Sequence, residues 1–364
     1  MIQETLSQIE PADASREGAI QDHLDDLAKP RGSLGMLERL AKRYVLATGI
    51  ERPSAEKKRI CVFAGDHGIV EEGLTFTGAE FTPMVVANML LGKSGVSIFS
   101  RHVGAELEVI DVGINADVSH LEGLIHRKVA PGTRNLAREP AMTLEQCQKA
   151  IAVGIERANK AADDGVQLLG TGEMGIGNTT PSSALLAALL PCSVREVTGP
   201  GAGLKSEEAL DHKIAIIEQA LELHQEAIPD PLRTLATVGG FEIAALTGLC
   251  LGAAARKLPV VIDGFIASAA ALVAFRLCKD VGDYLFYSHR SAEPGHDIFS
   301  REIGVEPILQ LGMRLGEGTG AALAMNIIDA SLKMYTEMST FSSFHVENTN
   351  HARCFPVSSQ PCAC

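Results

Sequence analysis

Arg59-Ile60-Cys61-Val62-Phe63-Ala64-Gly65 places one charge ahead of an unbroken apolar run that closes on glycine. A strand with one wet face alternates apolar and polar residues, whereas a run without alternation belongs to a strand covered on both faces. Similar runs recur at Leu107–Val112, Val166–Leu169, Leu235–Val238 and Pro259–Ile262, with weaker ones at Val194–Val197 and Tyr284–Tyr287. Helical spacing fills the intervals, over Met84–Ser100, Leu144–Ala162, Ser206–Ala227 and Glu242–Lys257. Buried strands alternating with helices imply right-handed crossovers and an α/β fold, a Rossmann-like, mostly parallel sheet flanked by helices. Ligands of such folds bind beyond the carboxyl ends of the strands, so the loops that follow the strands carry the functional reading.

Outward from this block the pattern turns helical. Gln21–Leu27 and Leu37–Leu46 show spacings of three and four, joined by Lys29-Pro-Arg-Gly-Ser-Leu-Gly35, in which Ser33 is placed to cap the second helix. Beyond Phe299, helices are expected over Ile308–Met313 and Gly320–Met338. Residues 1–57 and 300–364 are therefore expected to form a small helical domain from both termini, around a large α/β domain at 58–299. The last stretch, Ser339–Cys364, is polar without a period and is expected to be loosely held.

Composition narrows the function classes. A formal net charge of −13 and the absence of a basic run argue against a nucleic-acid surface. The N-terminus lacks a basic segment followed by an apolar one, and the apolar stretch Ile266–Phe275 is too short for a bilayer; a cytoplasmic protein without a membrane partner is expected. Most of the 8 cysteines sit in apolar segments and read as small core residues, while Cys362 and Cys364 on the tail make a poor metal site.

The loops are polar and glycine-rich. Ala64-Gly65-Asp66-His67-Gly68 holds an Asp-His pair that reads equally as a ligand or as a turn. Gly170-Thr-Gly172-Glu173-Met-Gly175-Ile-Gly177-Asn178-Thr179-Thr180-Pro181 follows the Val166–Leu169 run and contains a G-x-G-x-x-G match. A dinucleotide site expects that match on the first strand, with an acid about 20 residues on. Here it belongs to a later strand, and Glu173 lies inside the expected loop. Pro181 suits the first turn of a helix, so the N–H groups of Gly175 to Thr180 are expected to converge on a single phosphate, with Glu173 on the sugar. Gly92-Lys93-Ser94 looks like the end of a P-loop, but Ala87 stands where glycine is required, and a solvated helix end is expected. Asp263 directly follows a buried strand, where a charge is costly unless it binds something. Ser288-His289 follows another strand. Glu317, flanked by Gly316 and Gly318 ahead of an apolar helix, suits either a helix N-terminus or an acid that must approach a ligand unobstructed.

With these segments in order, the chain resembles the nicotinate-nucleotide–dimethylbenzimidazole phosphoribosyltransferase family of cobalamin assembly, from Lys29–Gly35 to about Met325. The shared stretches include Gly65-Asp-His-Gly68, Val109-Ile-Asp-Val-Gly113, Gly132-Thr-Arg-Asn135, Gly172–Thr180, Val238-Gly-Gly240, Asp263-Gly-Phe265, Ser288-His289 and Arg314-Leu-Gly-Glu-Gly318. The resemblance implies a homodimer, with a heterodimer of related subunits as the alternative. It implies transfer of phosphoribose from nicotinate mononucleotide to an aromatic acceptor, with release of nicotinate, inversion at the anomeric carbon, and no metal or redox cofactor. It makes Glu317 the catalytic base, sets Glu173 and Asp263 on the ribosyl part, and gives the phosphate to Gly175, Ile176, Gly177, Asn178 and Thr179. Gly201, Gly203, Lys213, Gly264, Ser288 and Arg314 complete the expected nucleotide set; Thr77, Met84, Val85 and Leu315 form the expected acceptor set. The family's base-binding stretch commonly reads like Pro-Gln-Glu-Val-Thr-Ala-Gln-Met, whereas this chain has Gly78-Ala-Glu-Phe-Thr-Pro-Met84-Val85. The more apolar stretch leaves dimethylbenzimidazole, a related azole or a phenol as acceptors. A nucleotide-dependent oxidoreductase is the rival from another class.

Overall fold

The computed structural model describes residues 1–75, 77–201, 203–228 and 230–344. Among them, β1 (Lys58–Gly65), β2 (Ala105–Gly113), β3 (Leu124–His126), β4 (Leu168–Met174), β5 (Val260–Ile262) and β6 (Leu285–Tyr287) form one sheet. Every pairing is parallel, in the order β3-β2-β1-β4-β5-β6. The sheet grows outward from β1 to β3, and then the chain returns to add β4 on β1's other side. The loops leaving β1 and β4 therefore diverge, and a crevice opens at this switch point. In register from Lys58↔Leu168 to Ala64↔Met174, the two strands end side by side.

Both faces are covered, as the unbroken apolar strands require. On one face the helices Leu144–Asp163 and Phe241–Ala255 share a core with Phe63, Ile110 and Leu169. Gly154 and Gly248 bring these two helices into backbone contact, since a Cβ at either would overlap the other's carbonyl oxygen. On the other face Leu24, Leu40, Tyr44, Met325 and Ile328 pack with Ile60, Val62 and Val261. Helices from the two termini thus share one core with the sheet. The first helix, Ile2–Ser7, departs from this grouping, because Ile2 and Leu6 pack on the opposite layer.

Several local expectations are corrected. Leu235–Val238 is the end of a helix, Pro231–Val238; Asp230 accepts from the amides of Leu232 and Arg233, and Pro231 occupies its first turn. Val194–Val197 is a single helical turn, closed by a reciprocal Ser193–Glu196 cap. In both cases a cap and a short apolar face imitate a strand. Ile308–Met313 is not helical: Ile308 N donates to Tyr287 O at 3.0 Å and Leu309 N to Ser288 O at 2.9 Å, so the segment runs along the continuation of β6. The Met84–Ser100 helix is two helices, Phe81–Leu90 and Gly95–His102, broken at left-handed Gly92 and restarted by the Ser94 cap. Ser33 caps nothing; Gly35 is the N-cap, and Ser33 N closes a turn to Pro30 O. Strand β3 carries too few apolar residues to show in the sequence.

Ser339–Phe344 is held rather than loose, with Ala28 N donating to Ser339 O at 2.8 Å and Phe341 N to Asp26 O at 2.7 Å. The rest of the tail, with Cys354, Cys362 and Cys364, lies outside the described residues. Cys61, Cys147 and Cys250 are buried free thiols. No helix among the described residues is long and apolar enough to cross a membrane.

Candidate active site

The crevice at the switch point is a cavity of about 270 Å³, walled by the end of β4 and the loops after β5 and β6. Three further stretches complete it: Leu74, Thr75, Thr77 and Val85; Pro200, Gly201 and Gly203; and Arg314 to Glu317. Strand β4 runs on to Met174, so Gly170, Gly172 and Glu173 are strand residues and the loop starts only at Gly175. The first two glycines serve packing: a Cβ at 170 would stand 2.8 Å from Met325 Cε, and one at 172 would overlap the Glu317 carbonyl. The oxidoreductase alternative loses its fingerprint on this geometry.

Glu173 reaches the cavity from the next-to-last position of this strand with its side chain buried. Burial, then the neighbouring Asp263 carboxylate, pushes its pKa up to about 8. Asn178 Nδ2 donates to one of its oxygens, and Glu317 N donates to the other at 3.3 Å. The expected fan of amides from 175 to 180 is reduced. Ile176 N donates to Thr82 Oγ1, while Asn178 N and Thr180 N close turns onto Gly175 O and Gly177 O. Among the described residues, the N–H groups of Gly177 and Thr179 have no partner. Behind Thr179 the buried Lys213 donates to Thr179 Oγ1 at 2.9 Å and to Gly199 O at 3.0 Å. Desolvation draws its pKa down to about 8, against the pull of Glu293. Arg314 donates to Gly201 O at 3.1 Å, and Gly201 takes a left-handed φ of 59° against Thr179.

The opposite wall is a backbone device. Gly316, Glu317 and Gly318 have φ of 80°, 63° and 104°, and Glu317 is one of two non-glycine residues described with positive φ. The left-handed backbone favours glycine at 316 and 318; a Cβ at 316 would also displace the end of the Glu173 side chain, and one at 318 would press at 3.0 Å on Ile60 Cγ2 and Thr171 O. The flanking glycines therefore serve the approach of this loop to β4 as much as the approach of a ligand. Asp263 holds the turn: Oδ2 accepts from Gly318 N at 3.0 Å, and Oδ1 from Gly320 N at 2.7 Å and Ala321 N at 3.0 Å. What the buried acid binds is the start of the Thr319–Glu337 helix, while it still borders the cavity. Glu317 Oε2 accepts from Val96 N at 3.1 Å, in the first turn of the Gly95–His102 helix. Partial burial raises its pKa above the ordinary carboxylate range, the Val96 amide opposes this, and the Asp263 charge adds to it.

Of the expected nucleotide set, Gly175 to Thr179, Gly201, Gly203, Gly264 and Arg314 line the cavity together with Glu173 and Asp263. Lys213 stands behind Thr179. Ser288 is buried one layer deeper, donating to the Asp263 carbonyl. Of the acceptor set, Thr77, Val85 and Leu315 line the cavity beside Glu317, but Met84 does not and is 62% exposed. Successive helix positions project about 100° apart, so of these neighbours on Phe81–Leu90 only Val85 faces inward.

Outside the expected nucleotide and acceptor sets stands Glu293, a buried cavity-lining acid whose Oε2 has no partner among the described residues. Its position after β6 was the available signal. The Asp-His pair after β1 resolves into a buried cluster. Asp66 Oδ2 accepts from Asn115 N at 2.7 Å, and His67 Nε2 lies 2.8 Å from Glu242 Oε1.

A doubly wound sheet with amides and a buried lysine at one end of its cleft, and a carboxylate facing an apolar wall at the other, defines a nucleotide-using group-transfer enzyme. Residues 9–346 match the family model described as Phosphoribosyltransferase. The chain is 54% identical over 341 residues to the nicotinate-nucleotide–dimethylbenzimidazole phosphoribosyltransferase of Chlorobium chlorochromatii (strain CaD3), covering 94% of this chain and 96% of that one. With the same-named protein of Geobacter sp. (strain M21) identity is 51%, over 94% and 97% of the two chains. The crystal structure of CobT from Thermus thermophilus superposes with a TM-score of 0.87 at 38% identity, over 91% of this chain and 99% of that one. The chain belongs to the nicotinate-nucleotide–dimethylbenzimidazole phosphoribosyltransferase family.

Proposed function

We propose that the chain transfers the 5-phosphoribosyl group of nicotinate mononucleotide to 5,6-dimethylbenzimidazole or a related azole or phenol. The products are an α-riboside 5′-phosphate and nicotinate. The observation that carries this reading is the position of Glu317: a carboxylate of raised pKa beside an apolar wall, facing a buried sugar-scale acid and a loop with free amides. The names of the relatives support the same substrates.

The phosphate is assigned to Gly177 N and Thr179 N, with Lys213 supplying charge through Thr179. Glu173 takes the ribose and Asp263 holds the base-bearing turn beneath it. The pyridinium ring of the nucleotide leaves with the electrons of its C–N bond as a neutral ring, so its departure needs no acid. The acceptor attacks the anomeric carbon from the opposite face, and its N–H or O–H proton passes to Glu317. A base whose pKa is lifted toward the working pH is suited to that task. Binding both reactants in one cleft supplies the orientation, worth up to about 7–11 kcal/mol in favourable cases.

We also propose a homodimer working in the cytoplasm, for which light scattering of the purified protein is the check on mass. The activity is tested by incubating the protein with nicotinate mononucleotide and benzimidazole, adenine or p-cresol in turn. The expected result is a riboside phosphate of matching mass together with free nicotinate. Unchanged nucleotide with all three acceptors would overturn the reading.

A further inference from the structure

Asp66 and His67 directly follow β1, and neither borders the cavity. His67 is fully enclosed, between two glycines. A Cβ at Gly175 would stand 3.1 Å from its Nε2, and one at Gly240 would overlap its Cε1. Gly175 opens the loop with the free amides; Gly240 caps the helix that carries Glu242. Glu242, in that helix's first turn, meets His67 Nε2 at 2.8 Å with both side chains at 0% exposure. Burial alone would keep the imidazole neutral, but Glu242 and Asp66 outweigh it and hold the ring's pKa above its ordinary value. Asp66 works in the other direction. Burial raises its carboxyl above the ordinary value, and the Thr82 side chain beside it draws it back down. Thr82 Oγ1, itself buried, accepts from Ile176 N at 3.4 Å. Thr82 lies on the Phe81–Leu90 helix, whose Val85 faces the cavity.

We propose that Asp66 and His67 are positioning residues, His67–Glu242 seating the nucleotide loop at Gly175 and Thr82, which stands against Asp66, tying that loop to the helix that forms the acceptor wall. The inference rests on the reading of the cleft as a nucleotide-plus-acceptor site. Two adjacent residues directly after the most buried strand thereby touch both halves of the cleft, through Gly175 on one side and through Thr82 on the other. A ring clamped by two glycines leaves no slack, so a change of charge or shape at His67 is passed directly to the backbone of Gly175. Three buried atoms of the cluster, Asp66 Oδ1, His67 Nδ1 and Glu242 Oε2, lack partners among the described residues. A fold that keeps such a cluster leaves hydrogen-bonding capacity unused, which packing alone does not explain.

The test compares His67→Gln, Thr82→Val and Thr82→Ser in the full chain. Thermal unfolding reports folding, calorimetry the nicotinate mononucleotide Kd, and steady-state rates both KM values. His67→Gln is expected to weaken nucleotide binding about tenfold while leaving the acceptor KM within twofold. Thr82→Val should raise both KM values, because it frees the loop and the helix together, and Thr82→Ser, which keeps the hydroxyl, should restore both. Folded variants whose KM values do not move, or that lose only kcat, overturn the proposal. If His67→Gln does not fold, the two Thr82 variants decide it. Failure of the unsubstituted protein to bind nicotinate mononucleotide would overturn the functional reading and this inference with it. Binding that is equal in wild type and folded variants would overturn this inference alone.

Discussion

At one end of the cleft the chain offers two backbone amides, Gly177 and Thr179, with a buried lysine behind them. At the other it offers one side chain, Glu317, on a left-handed backbone. The first end is made by a helix start, where amides are free in any sequence and glycine merely lets the chain come close. The second must be imposed. A left-handed residue other than glycine costs of the order of 1–2 kcal/mol, and the three amide bonds to Asp263 keep Glu317 in that conformation. Binding a phosphate tolerates a generic local motif, whereas aiming a base requires a particular arrangement of strands and helices around it.

The sharpest way to break this contrast is Glu317→Gln. Turnover should fall by roughly 10²–10⁴-fold while nucleotide affinity holds, because the amide keeps the shape and loses the proton acceptor. Rapid-quench turnover beside calorimetry separates the two, and near-normal turnover would end the base assignment. The nucleotide end is probed by removing its ligand's anion. The dephosphorylated nucleoside should bind weaker than nicotinate mononucleotide by about 10–100-fold for each lost charge-assisted hydrogen bond, roughly 1.5–3 kcal/mol apiece. Equal affinities would place the phosphate elsewhere.

A smaller effect concerns Glu173, whose pKa in the folded protein is about 8 against an ordinary value of 4.5. The folded state then holds a proton that the unfolded chain has released, so its stabilising contribution is full below pH about 4.5 and is lost as pH rises through about 8. The ligand-free protein should melt several degrees lower at the upper end of that window, and Glu173→Gln should flatten the trend. A melting temperature that rises with pH across the window would contradict the burial-driven shift. Least in magnitude is the acceptor wall. Val85→Gln should reorder azoles against p-cresol in a competition assay by about 1–3 kcal/mol, the cost of an unpaired buried amide. Met84→Gln, on the exposed side of the same helix, should leave the order unchanged. The reverse result would mean that the helix turns its other face to the ligand.

Legibility followed the range of the interaction. Apolar runs announced β1, β5 and β6, and one interrupted by Glu108 and Asp111 announced β2, because covering both faces of a strand leaves its mark along most of it. Leu235–Val238 and Val194–Val197 misled because one apolar helical turn and a short strand use the same residues, and only the caps at Asp230 and Ser193 tell them apart. In the site, Glu317 between its glycines, the Gly175–Thr179 loop and Val85 stood out or followed from resemblance. The inward turn of Val85 over Met84, and the work of Glu293 and Glu242, did not.

By itself the sequence determined what repeats along the chain at short range: strand, loop and helix in alternation, with polar glycine-rich loops after the strands. Those are local consequences of burial and backbone freedom. The tertiary structure alone decided the contacts that join residues far apart. It set Glu242 against His67 across 175 positions, and turned the Asp263 carboxylate from a free binder into the cap of a helix that starts some 55 residues later. Those pairings arise because the sheet order returns β4 to the side of β1 and seats the last helix over both. No periodicity records the partner of a buried charge; the packing that removes water from both groups selects it.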